Sequence, residues 1–282
     1  VNETLGAIED ALADYYKAVS MDPDEAQPYA ARGQIYRGLG RLEEALADYD
    51  EMVRIKSADA VALYHRGQIF EELGSVEEAL ADYDRAIDID SNYAAAFFRR
   101  GRVNYTLGRI EETLTDYDRA VHLNPDNRDA YFNRGDLYAE LGRLEEALPD
   151  FGEAIRLQPQ VSDAYYRRAL TNFTLGYYHD ALSDFEQVLS IDPENIGAHY
   201  NRGRTYEALS DTGKALASYD DAIRLDGEDA RIINSRGDLY RMQEQFEEAI
   251  SDYGEVIRLN PEDATTYHKR GLSHQTLGQL PE

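Results

Sequence analysis

An Arg-Gly pair inside Tyr-x-x-Arg-Gly-x-x-Tyr returns along this chain with a fixed period. It stands first at Tyr29, Arg32, Gly33 and Tyr36. It returns at Arg66-Gly67, Arg100-Gly101, Arg134-Gly135, Arg202-Gly203, Arg236-Gly237 and Arg270-Gly271, with Arg168-Ala169 as the one variant. Successive glycines differ by 34 residues (67 − 33, 101 − 67, 135 − 101), and the register holds throughout. A constant period of this length means stacked supersecondary units, each burying its apolar face on its neighbours. The length of 282 residues alone would imply one or two globular domains, and the period overrides that expectation.

Each unit reads as two helices. In residues 26–59, Tyr29, Arg32, Gly33 and Tyr36 follow three- and four-residue spacing and share one helical face. Leu39-Gly40 ends the first helix, with glycine as a left-handed cap, and Leu-Gly recurs at 73–74, 107–108, 141–142, 175–176 and 277–278. Glu43-Glu44 opens a second helix, where carboxylates favour the positive end of the helix dipole. That helix, Ala45-Leu46-Ala47-Asp48-Tyr49-Asp50, closes in several copies at a proline: Pro23, Pro125, Pro159, Pro193 and Pro261. Gly33 and Ala45 are expected where the paired backbones approach most closely, with Tyr36 and Tyr49 filling the space around them.

Tyr29, Gly33, Tyr36, Ala45, Tyr49 and the closing proline, repeated at this spacing, resemble the tetratricopeptide repeat family. The resemblance covers essentially the whole chain. It implies an all-α fold, a right-handed superhelical solenoid of antiparallel helix pairs, with first helices lining a concave groove. The expected units are full repeats at 26–59, 60–93, 94–127, 128–161, 162–195, 196–229 and 230–263. A half repeat precedes them (1–25, with a second helix at 7–20) and another follows (264–282, a first helix).

The chain departs from the family pattern where an arginine precedes the glycine, a place the family usually gives to an apolar residue. Aspartate precedes the second-helix aromatic at Asp14, Asp48, Asp82, Asp116, Asp150, Asp184 and Asp252, and Ser218 breaks the series. Together these predict a ladder of Arg–Asp pairs, a guanidinium fork on a carboxylate, that penalises misregistered stacking. Whether each arginine meets its own repeat's aspartate or the preceding repeat's stays open at this point. Pro149 inside a second helix should cost about 3 kcal/mol or bend the helix. The segments at Leu209–Lys214 and Met242–Glu244 lose the Leu-Gly cap.

Function in a solenoid falls on positions the repeated core does not need. If the family geometry holds, Tyr64, Phe98, Phe132, Tyr166 and Tyr200 face the groove, although the same residues could instead pack between adjacent first helices. The next position carries donors, His65, Arg99, Asn133, Arg167, Asn201 and Lys269; Arg102, Arg204, Tyr105 and Phe173 lie about a turn further on. These residues are the candidate peptide-binding set: an aromatic floor with donors for backbone carbonyls or acidic side chains. Asp129, Asp136, Glu140, Asp163 and Glu207 nearly balance the basic residues there, so an acidic or amphipathic peptide is allowed but not required.

The net charge of −26 opposes wholesale binding of nucleic acid, which wants a basic footprint. No apolar run approaches the roughly 20 residues that span a bilayer. The six histidines show no metal-ligand spacing, the chain has no cysteine, and no phosphate loop or nucleophile motif appears, so no cofactor and no enzyme activity is expected. The chain starts without Met and in mid-repeat, and so reads as a fragment of undetermined location. The reading is a non-catalytic protein–protein interaction scaffold. One alternative is a self-assembling array joined head to tail through its half repeats. Another is the regulatory arm of a larger enzyme.

Overall fold

The computed structural model describes residues 2–278. Among the described residues there are sixteen helices and no strand. The first is α1 (Asn2–Met21), followed by α2 (Ala26–Gly38), α3 (Leu42–Ile55), α4 (Ala60–Leu73), α5 (Val76–Ile89), α6 (Ala94–Thr106), α7 (Ile110–Leu123) and α8 (Arg128–Glu140). Then come α9 (Leu144–Leu157), α10 (Ser162–Leu175), α11 (Tyr178–Ile191), α12 (Ile196–Ala208), α13 (Thr212–Leu225), α14 (Ala230–Met242), α15 (Phe246–Leu259) and α16 (Ala264–Thr276). The chain divides into two compact units, residues 1–134 and 135–282, with the division inside α8. Within each unit, a first helix packs on the second helix that follows it, and that helix packs on the next first helix. The opening helix starts five residues before the expected residue 7.

The glycine of the motif makes room for a ring. A Cβ built on Gly67 would stand 2.7 Å from the Tyr83 ring; on Gly101, 2.9 Å from Tyr117; on Gly203, 2.6 Å from Tyr219. Tyr49, Tyr83, Tyr219, Tyr253, Phe151 and Phe185 are all fully buried in this way. A Cβ added at Gly33 would first meet the Tyr49 ring and the Asp48 Cβ, and Ala45 is fully buried.

The turns follow from backbone accounting. Gly40, Gly74, Gly108, Gly142, Gly176 and Gly278 all take positive φ, between 71° and 82°. Past them the chain folds back, as where Arg41 N–H donates to the Tyr36 carbonyl at 2.8 Å and satisfies an otherwise orphaned acceptor. The two segments expected to lose this cap keep its geometry without glycine. Ser210 and Glu244 both sit at φ 60°, and Asp211 and Gln245 donate back to Tyr206 and Tyr240 at 2.9 Å. A side chain in that conformation costs on the order of 1 kcal/mol. Pro149 does not interrupt α9, which runs the same 14 residues as α7 and α11.

The arginine ladder exists, and at Arg66, Arg100 and Arg236 its rungs are two-sided. Arg66 directs Nε and Nη2 to Asp82 in its own repeat, both at 2.7 Å, and Nη1 to Asp50 of the preceding second helix at 2.9 Å. Arg100 joins Asp116 and Asp84 in the same way, and Arg236 joins Asp252 and Asp220. Arg134 Nη1 reaches Asp118 at 2.7 Å. The own-repeat carboxylates belong to the anticipated series. Those of the preceding helix stand two residues later, just after the aromatic, in a series the spacing argument did not use. Arg32, which lacks that carboxylate, places its guanidinium 4.4 Å over the Tyr16 ring. Asn104 and Asn172 add a second donor to Asp116 and Asp184. At Ser218 the rung weakens to a single bond from Arg202 Nε at 3.1 Å, and Arg202 turns its Nη2 to Asp221.

Urea unfolding followed by circular dichroism tests both the glycine contact and the ladder. Gly203→Ala should lose about 1–2 kcal/mol, because overpacking against Tyr219 outweighs the helix-propensity gain of alanine. Gly271→Ala, with nothing within 4 Å of its added Cβ, should lose none. Arg66→Leu should lose about 3 kcal/mol by stranding the buried Asp82, and adding Asp82→Leu should recover more than half of that.

Candidate interaction surfaces on the first helices

The candidate residues lie on α4, α6 and the start of α8 in the first unit and on α10 and α12 in the second. In every case where the partner is seen, the aromatic after the motif's first position leans on the buried ring of its own hairpin. Tyr64 meets Tyr83 with ring centroids 6.0 Å apart, Phe98 meets Tyr117 at 6.0 Å, Tyr166 meets Phe185 at 6.0 Å and Tyr200 meets Tyr219 at 5.9 Å. These four rings and Phe132 are half-buried, so each serves both as packing and as surface. Phe132 is covered by the Arg128 guanidinium at 4.6 Å.

In the first unit the donors are largely engaged by neighbouring helices. Arg99 and Arg102 both approach Glu71 at 3.5 Å, and the same carboxylate accepts the Tyr83 hydroxyl proton at 2.9 Å. Burial and that carboxylate hold the Tyr83 hydroxyl far above the ordinary phenol range. His65 is stacked on Tyr49 at 5.5 Å and pairs with Gln68 at 3.1 Å, and desolvation lowers its affinity for a proton. Gln68 donates to the Tyr64 hydroxyl and accepts from Arg37, whose other edge binds Glu72. Asn133 hydrogen-bonds the Tyr117 hydroxyl, whose pKa burial raises to about 12. Arg102 and Tyr105 are exposed.

In the second unit Arg167 pairs with Asp136 at 3.1 Å, and Asn201 is buried, donating to the Tyr166 hydroxyl and the Gly197 carbonyl. Burial raises the Asp136 carboxyl above its usual range, and Arg167 partly offsets this. Arg204 differs from the rest. Its exposed guanidinium lies 4.9 Å over the Phe173 ring and 5.8 Å over Tyr200, touches Asn201 Oδ1 at 3.4 Å, and among the described residues meets no carboxylate within 4 Å. Phe173 also contacts Tyr178. The result is a cationic and aromatic shelf. Lys269, in the same donor row, is held by Asn234 and Asp238.

Nothing in the repeat spacing singles out Glu71 or Glu207, yet both organise this surface. Each stands one turn after the motif glycine and accepts the hydroxyl proton of its own hairpin's second-helix tyrosine, Tyr83 or Tyr219. Where that ring is Phe151 or Phe185, the matching position holds Ala139 or Phe173 instead. Tyr49, Tyr117 and Tyr253 have Arg37, Tyr105 and Arg241 at that position, so the pairing belongs to two hairpins and is not a series along the chain.

Models described as tetratricopeptide or TPR repeat match residues 33–74, 67–108, 98–162, 162–195, 196–229 and 237–278. The chain belongs to the tetratricopeptide repeat family. Among solved structures, this TPR chain is similar to YrrB, described as a TPR protein with an unusual peptide-binding site. The two are 27% identical over 65% of this chain and 95% of that one, with a TM-score of 0.55. It also resembles the C-terminal part of a TPR repeat-containing protein from Cytophaga hutchinsonii, at 18% identity over 84% and 97% of the two chains and a TM-score of 0.72. MamA matches at 19% identity over 61% and 94%, with a TM-score of 0.58. These last two likenesses speak for the fold alone. A search of the curated proteins gives no match. No described helix of this TPR array is long and apolar enough to cross a membrane.

His65 gives a pH test of this surface. Its folded pKa lies below the ordinary value of 6.5, so the unfolded chain binds the proton first. Its contribution to stability is therefore complete above that value and declines as pH falls below it. Replacement by phenylalanine keeps the stacking on Tyr49 without a titrating ring. His65→Phe should lose less stability than the parent protein between about pH 7 and pH 5, measured by urea unfolding at each pH.

Proposed function

We propose that this TPR array is a non-catalytic scaffold that binds a segment of a partner protein along the exposed face of its first helices. The observation that carries this reading is Arg204, a cation resting on Phe173 and Tyr200 with no carboxylate within 4 Å among the described residues. A guanidinium already desolvated on one face by aromatic rings retains outward donors for backbone carbonyls or an acidic side chain. The half-buried rings of Tyr166 and Tyr200 supply rigid apolar area beside it. The likeness to YrrB, whose description names a peptide-binding site, supports the same reading. In the first unit Phe98, Arg99, Arg102 and Tyr105 form the corresponding set, with Glu71 screening the two arginines and making that face the weaker attractor of acidic groups.

Peptides selected from a random displayed library against the intact array provide the test. Arg204→Glu combined with Phe173→Ala should weaken the selected peptides at least about ten-fold, the loss of one charge-assisted contact, while helical content stays native. Equal binding by the double variant, or no enrichment by the parent protein, would overturn the proposal.

A further inference from the structure

The ladder lacks the preceding helix's carboxylate at two glycines, Gly152 before Arg168 and Gly254 before Arg270, and the Arg168 rung is the one that still holds its own repeat's aspartate. At Arg66, Arg100, Arg134 and Arg236, Nη1 binds an aspartate of the preceding second helix at 2.6–2.9 Å: Asp50, Asp84, Asp118 and Asp220. The residue at this place before Arg168 is Gly152. Arg168 still grips Asp184 through Nε and Nη2 at 2.9 and 2.7 Å, but among the described residues Nη1 pairs with no carboxylate, and it lies 3.8 Å from where a Gly152 Cβ would stand. Its side chain is 29% exposed, against 17–23% for the four arginines that bind the preceding helix's aspartate.

That free edge opens into a recess of about 500 Å³ between α9 and α11, bordered by Leu148, Pro149, Gly152, Arg168, Asn172 and Ser183. Two repeats earlier the equivalent recess, about 540 Å³, contains Leu80, Asp84, Arg100 and Asn104, and there Asp84 already occupies the arginine. The Arg100 recess holds two carboxylates on its arginine beside Glu111, Glu112 and the cation Arg109, whereas the charged groups of the Arg168 recess are Asp180, Asp184 and Arg168 alone.

We infer that the Arg168 recess is a docking site for one aspartate or glutamate side chain of a partner polypeptide. The carboxylate would sit where Arg66, Arg100, Arg134 and Arg236 hold the aspartate of the preceding second helix. The adjoining apolar side chain of the partner would rest on Leu148 and Pro149. That apolar rim favours a peptide-borne carboxylate over a free one, which would gain only the ion pair. Because the recess lies between second helices, it is a different site from the Arg204 shelf.

The test is an NMR titration of the arginine side-chain resonances of the intact array. Its probes are a blocked pentapeptide Ala-Leu-Asp-Leu-Ala, the same peptide with Asn for Asp, and sodium acetate at equal ionic strength. The Asp peptide should shift the Arg168 guanidinium signals and bind about ten-fold more tightly than the Asn peptide. Gly152→Ala should keep this binding, whereas Gly152→Asp, which supplies the carboxylate found in four other repeats, should reduce it by a similar factor. Arg204→Glu should leave it unchanged, so the two surfaces are tested separately. Absence of a shift in the parent protein, equal binding of the Asp and Asn peptides, unchanged binding by Gly152→Asp, or acetate matching the peptide would each overturn the inference.

Discussion

Each hairpin depends on an aromatic ring standing where glycine provides no side chain. The buried ring of a second helix occupies the volume that a Cβ at Gly67, Gly101 or Gly203 would claim, and this sets how closely the two helices approach. Every other regularity builds on that spacing. Asp48 and its equivalents are brought beside the motif arginine, and the half-buried rings of the first helices come to rest on the same aromatic from its other side. The position therefore admits small residues alone, and Ala169, the one exception to glycine, is itself fully buried.

The arginine ladder adds specificity to this packing. Hydrophobic rings and alanines would tolerate many sliding arrangements, whereas a guanidinium that must meet two carboxylates on different helices tolerates few. Desolvation of partners such as Asp82 and Asp116 offsets much of the attraction. The rungs thus act more through the penalty for wrong stacking than through net stability. The array also tolerates local substitutions in the ladder, since Ser218, Gly152 and Tyr16 each alter one side of a rung while the neighbouring rungs keep theirs.

Much of the architecture was legible in the sequence because it is written as repetition. The 34-residue period, the Leu-Gly turns and the Arg–Asp series each recur often enough to separate signal from accident. The second aspartate of each rung was hidden because it is absent at Gly152 and Gly254 and becomes Glu186 in another repeat, so its series looks broken. The candidate surface was less legible. Spacing could place Tyr64 and Phe98 on a face, but could not show that their rings lean on Tyr83 and Tyr117, or that Glu71 draws both Arg99 and Arg102 toward itself. Those outcomes depend on side chains of neighbouring repeats that differ from copy to copy. The contrast between Arg99 and Arg204 comes from such neighbours.

The two positive-φ residues that are not glycine, Ser210 and Glu244, close α12 and α14, the first helices of adjacent hairpins. Stability in a linear array is close to a sum of local hairpin and interface contributions, so strain at two neighbouring turns is concentrated in one stretch. The segment from about α12 to α15 is therefore expected to open at a lower threshold than hairpins closed by glycine. Amide protons there are expected to exchange sooner than those of hairpins closed by glycine, and the turns at Ser210 and Glu244 are the expected first sites of proteolysis.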